Sequence, residues 1–153
     1  MAHNRIIEST YDDYFGVARV TKSSQYGEFC RGAFCNPEYD EGNAWDGQKI
    51  AERRCDIDIQ KAKAKDFQSR LKGMKHLQSV LHDKFNDDKD YYTIGMIEVL
   101  DELDHQVKIM EREVKKETDF SHYLQDNFNN YVNFLLETRK KTREKFNSLE
   151  NKK

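Results

Sequence analysis

One proline and seven glycines in 153 residues leave most of this chain without helix breakers. Pro37 and five of the seven glycines fall at or before Gly47, so turn chemistry is confined to the first third. Apolar residues form no run approaching a membrane span, and the opening MAHNRIIESTYDD has neither an apolar h-region nor a small-residue cleavage site. We therefore expect a soluble cytoplasmic protein with no membrane partner. Cysteine is scarce and odd in number: Cys30, Cys35 and Cys55 read as free thiols in a reducing compartment. No G-x-S-x-G, Walker-type or G-x-G-x-x-G sequence is present, which removes the usual supports for nucleophilic catalysis and nucleotide binding. The expectation is a chain that is not an enzyme and takes no cofactor.

A dominant charge is missing too. The net charge is −2, which does not support a global nucleic-acid field. The charge is instead blocked: −4 over 1–58, +5 over 59–82, −6 over 83–125 and +3 over 126–153. Such blocks suit helices that complement one another side by side, or separate surfaces for a partner. With 37% hydrophobic and 35% charged residues the chain is apolar-poor, but nine Phe, eight Tyr and regular apolar spacing argue against disorder.

The stretch 27–55, GEFCRGAFCNPEYDEGNAWDGQKIAERRC, organises the rest. It reads as a strand over 29–35, a turn at Asn36-Pro37, an acidic loop 38–41 and a helix capped by Asn43 with Asp46 as its acidic partner. Residues 13–21 alternate in the strand manner, so 13–35 is expected to be an antiparallel β-hairpin. Its small residues Gly16, Ala18 and Gly32 would let a helix approach closely. Residues 5–11 are expected as a short first strand or an arm.

Beyond the hairpin the spacing is helical. Ile50, Ile57, Ala64, Phe67, Leu71, Met74, Leu77, Leu81 and Phe85 recur every three or four residues, close to a heptad in the later part. A second stripe runs through Ile94, Ile97, Leu100, Leu103, Val107, Met110 and Val114, and a third through Leu124, Phe128, Tyr131, Leu135, Phe146 and Leu149. Thr118 with Ser121 could cap a new start, so a break near 118–119 is expected. The predicted fold is α+β, mostly α: an N-terminal antiparallel β-hairpin packed on a bundle of about three long amphipathic helices. It forms one domain over 1–153, with the hairpin and loop in 1–42 and helices over 43–86, 90–117 and 119–150. The short connection after 86 implies antiparallel packing, with basic residues of the first helix facing acids of the second.

Several clusters invite a chemical reading. Cys30 and Cys35 with a histidine suggest zinc, but on a regular strand they point to opposite faces, and His3, His76, His82, His105 and His122 are scattered. Glu102-x-x-His105 has the spacing of di-iron bundles, yet no second such motif or further core glutamate pair is evident, so Asp101, Glu102, Asp104 and His105 read as a solvated face. No metal site is expected. Basic helix faces carrying Lys61, Lys65, Lys72, Arg139, Lys140 and Arg143 offer a nucleic-acid-binding alternative. The acidic Asp87–Glu117 run offers the reverse, an imitation of a nucleic-acid backbone.

The pattern Gly32-Ala33-Phe34-Cys35-Asn36-Pro37-Glu38-Tyr39-Asp40, followed by Gly47-Gln48-Lys49-Ile50-Ala51-Glu52-Arg53-Arg54, resembles a GxAxCxPxDxF…GxxIAxxRA strand-turn-helix element of small, mostly uncharacterised proteins of Gram-positive phages, prophages and mobile elements. Tyr39 and Asp40 do not align fully with its D-x-F portion, and Cys55 stands where the pattern has alanine. The resemblance covers about 25 residues and implies origin rather than chemistry: a phage or prophage accessory protein, a class that includes anti-CRISPR-like inhibitors of host defence. The expected function is non-enzymatic binding of a host protein or protein–nucleic-acid complex. Its contact surface is expected at Tyr14, Phe15, Arg19, Arg31, Glu38, Tyr39, Asp40, Glu41 and Trp45, because loops on a rigid scaffold carry function more often than helix faces do. The alternatives are a nucleic-acid binder and a self-associating assembly protein, with a homodimer expected from the aromatic-rich helices.

Overall fold

The computed structural model describes residues 4–34, 44–87 and 94–150. Its elements are β1 (Arg5–Asp12), β2 (Val17–Ser24), β3 (Gly27–Phe34), α1 (Ala44–Asp87) and α2 (Ile94–Glu150). The fold is α+β and mostly helical, with a three-stranded antiparallel sheet in the order β1-β2-β3. The expected hairpin is thus the second half of a meander, with β2 central and β3 at an edge. Residues 13–16, expected to open a strand, are instead the turn between β1 and β2. Two features force that turn. The Asp12 carboxylate accepts hydrogen bonds from the backbone N–H of Tyr14 at 2.9 Å and of Phe15 at 3.0 Å, and Gly16 takes the left-handed φ of 60° that closes the loop.

The two long helices correct the expectation of about three. Thr118 does not cap a new start: its Oγ1 donates 2.8 Å back to the Val114 carbonyl, as a threonine inside a continuing helix does. With neither Gly nor Pro nearby, α2 runs 57 residues without a stop. Asn43, Cys35 and the 36–42 turn and loop lie outside the described residues.

The chain divides into two compact units, one joining the residues up to Ile59 with those from His122 onward, the other spanning Gln60–Ser121. In the first, β2 turns Ala18, Val20 and Lys22 toward the start of α1, all buried. Val20 and Ala33 form a core with Ala51 and Cys55, flanked by Phe29 and Ile50. Burying Val20 alone is worth about 1.5–3 kcal/mol. Close approach depends on small residues, as expected for Ala18: a Cβ on Gly47 would lie only 3.0 Å from the Ala18 Cβ. Further along α1, Arg54 donates to the Gly32 carbonyl at 2.6 Å and the Arg53 guanidinium lies 4.0 Å over the Tyr131 ring. Arg139 pairs with Asp46 at 3.3 Å, so the first turn of α1 is tied to α2 within this unit.

The second unit is an antiparallel helical hairpin. Leu100, Val107, Ala64 and Phe85 are buried on its seam. Two polar layers interrupt it. Gln60 Nε2 donates to the Glu117 carbonyl at 3.0 Å and to its carboxylate at 2.7 Å, while Lys63 Nζ lies 2.8 Å from the other carboxylate oxygen. Gln78 Nε2 donates to Asp104 at 2.7 Å, with His82 at 3.3 Å. Basic residues of α1 do face acids of α2 here, as Lys75 with Glu111 at 2.6 Å also shows.

Candidate functional site

The face of the sheet turned away from α1 is uncovered by any described element. Strand parity puts Val17, Arg19 and Thr21 there, opposite in register to Phe34, Gly32 and Cys30 of β3 and to Asp12, Thr10 and Glu8 of β1. Thr10, Asp12, Phe15, Val17, Arg19 and Phe34 line an open groove of about 530 Å³. Its aromatics are unusually wet: Phe15 is 69% exposed, Phe34 79% and the neighbouring Tyr14 88%. Tyr14 and Phe15 meet edge to face, ring centroids 4.8 Å apart, and the Asp12 turn holds them at the end of the sheet. Arg19 is exposed and has no ion pair among the described residues. The arrangement can stack against flat or apolar groups and offer one cation.

Of the residues expected at the contact surface, Tyr14, Phe15 and Arg19 come together on this face. Arg31 does not. It stands opposite Val20 in register, on the face toward α1, where its Nε pairs with Asp58. That carboxylate raises the Arg31 pKa further. Trp45 lies in the first turn of α1, 58% exposed, with Lys49 Nζ 3.5 Å over its ring. Glu38, Tyr39, Asp40 and Glu41 lie outside the described residues. Phe34 belongs to the groove but was not expected there; its parity with Val17 and Arg19 across the hairpin was the available signal.

The basic alternative is divided between the units. Lys61, Lys65 and Lys72 are exposed on α1 in the second, whereas Lys140 and Arg143 are exposed on α2 in the first. Arg139 is half-buried against Asp46. Asp101, Glu102 and His105 are exposed, while Asp104 serves the Gln78 layer. Hydrogen bonds from Gln78 and then His82 hold Asp104 below the usual carboxylate range. Among the described residues, no three His, Cys, Asp or Glu side chains converge as a metal site, and no helix is long and apolar enough to cross a membrane.

Two groups under the sheet bear on stability rather than chemistry. Lys22 reaches between Glu52 at 2.9 Å and Asp56 at 2.7 Å. Burial opposes its charge, but the two carboxylates outweigh it and raise the pKa above 10.5. Cys55 is fully buried, its Sγ 3.2 Å from the Val20 carbonyl, and burial pushes its thiol up, away from the reactive thiolate. Cys30 is exposed on the opposite, open face.

The chain was compared with protein-family models, with curated proteins and with solved structures, and none of them matches it.

Proposed function

We propose that this chain is a non-enzymatic accessory protein of phage or prophage origin that docks on a host protein through the open face of its sheet, and so blocks a host defence or nucleic-acid-processing machine. The observation that carries the reading is the exposed Tyr14, Phe15 and Phe34 cluster around Arg19. Aromatics and arginine are the residues that dominate protein interfaces, and leaving three such rings in water has a cost that a partner would remove. The phage origin rests on the resemblance of the 32–54 segment alone.

The test is capture from the lysate of a Gram-positive host, with and without nuclease and at two salt concentrations. A discrete protein should be retained by the wild type after nuclease treatment and lost by Phe15→Ala, Phe34→Ala and Arg19→Ala variants. Retention that disappears with nuclease or with salt would replace this reading with the basic-face nucleic-acid binder. Retention unaffected by the three substitutions would remove the sheet face from consideration.

A further inference from the structure

The register lays out the open face of the sheet in rows. Asp12, Val17 and Phe34 form the row beside the turn between β1 and β2, Thr10, Arg19 and Gly32 form the next, and Glu8, Thr21 and Cys30 the one after. Along β1 this face is polar and acidic, along β3 from Cys30 to Phe34 it is apolar, and Arg19 stands between the two. Gly32 leaves the place beside Arg19 on the β3 side without a side chain. One alternate position along β3, about 7 Å away, the exposed Phe34 ring stands next to Val17. An apolar seat and a guanidinium that no described carboxylate pairs thus lie side by side, at the spacing of alternate residues in an extended chain.

We propose that the element of the partner seated here is an extended protein segment with an apolar side chain at one position and a carboxylate two residues away, the first over Val17 and Phe34 and the second on Arg19 above Gly32. The inference rests on the docking reading above and names its partner's chemistry. A carboxylate suits the guanidinium because its two oxygens can both accept from the planar fork, and the apolar side chain seated beside the pair keeps water from it. It reaches Arg19 from the β3 side, two strands and about 10 Å from the row of Asp12 and Glu8, where salt screens their repulsion. A nucleic-acid strand does not fit the same place. It brings an anion at every step, and this face sets Glu8, Asp12 and Glu28 against Arg5 and Arg19.

Amide-shift NMR titrations of the full chain with blocked pentapeptides test it. Glu-Thr-Phe-Thr-Glu presents the apolar-to-acid spacing whichever way the segment runs, Gln-Thr-Phe-Thr-Gln removes the charge, and Thr-Glu-Phe-Glu-Thr keeps the charge but moves it to adjacent positions. The first should shift the amides of Arg19, Gly32 and Phe34 and bind about tenfold more tightly than either control. Arg19→Gln, a substitution at an exposed position, should bring all three peptides to the same weak affinity. Equal binding of the first peptide and either control, no shift at these amides, or tighter binding by a short oligothymidylate would overturn the proposal. Loss of host-protein capture in Phe15→Ala and Phe34→Ala with Arg19→Gln retaining it would end this inference and leave the docking face standing, whereas capture indifferent to all three would end the reading beneath it.

Discussion

Gly47 and Gly73 both sit inside α1, yet they meet different surroundings, and the difference decides what a methyl group would do. In an exposed helix, Gly→Ala gains about 1 kcal/mol because the backbone loses less freedom on folding. At Gly73 nothing lies within 4 Å of the added Cβ, so Gly73→Ala should stabilise by about that amount. At Gly47 the added Cβ would lie 3.0 Å from the Ala18 Cβ, which is fixed to the central strand and cannot rotate aside. Gly47→Ala should therefore destabilise, by about 1–3 kcal/mol, as overpacking does. Urea midpoints for the two variants read the contrast; a gain at both sites would mean that the sheet does not bear on α1 there. The small residues were legible as a packing face at Ala18, while Gly16 was not: its glycine serves the turn. Lys22 was illegible for another reason. Its parity puts it with Ala18 and Val20, and only Glu52 and Asp56, 30 and 34 residues away, explain a lysine at a buried position.

Within the helices, the apolar period was readable and the interruptions to it were not. Thr118 and Ser121 look like caps in a one-dimensional reading, but a threonine can also donate to the carbonyl four residues back, and here it does. Glu117 and Gln60 break the apolar stripe at matching places, and their partnership appears only when the helices are laid side by side. Burial pushes the Glu117 carboxyl up, but hydrogen bonds from Lys63 and Gln60 outweigh it, so the folded pKa falls below 4.5. The unfolded chain then takes up its proton first. Stability from this group is fully present above pH 4.5 and is lost as pH falls through the depressed folded value. Glu117→Gln should remove that acid-sensitive part of the curve and cost about 1–3 kcal/mol near neutrality, by leaving Lys63 without its carboxylate. Urea denaturation at a series of pH values, at one protein concentration, measures both; curves for wild type and variant that stay parallel through the acid range would show that the layer carries no such linkage.

At the scale of the molecule, the charge blocks were the most informative part of the sequence. They suit helices that complement one another side by side, the short connection after 86 makes those helices antiparallel, and Lys63–Glu117 and Lys75–Glu111 realise the pairing. The same pairing explains why a basic block need not mean nucleic-acid binding. Of the six basic residues expected at a nucleic-acid face, Arg139 is committed to Asp46, and the exposed Lys61, Lys65 and Lys72 belong to a different unit from Lys140 and Arg143. Their stripe on α1 supplies three phosphate contacts at most. Counterion release then limits the salt dependence of duplex binding to a slope of about −2.7 in log K against log salt. Binding of that kind should be weak at low salt and gone at physiological ionic strength, and Lys65→Ala with Lys72→Ala should flatten the slope by about 1.8. Fluorescence anisotropy with a labelled duplex over a salt series measures it. A slope much steeper than −2.7 would mean that more basic residues than this stripe engage the duplex, and the nucleic-acid reading would displace the sheet-face one.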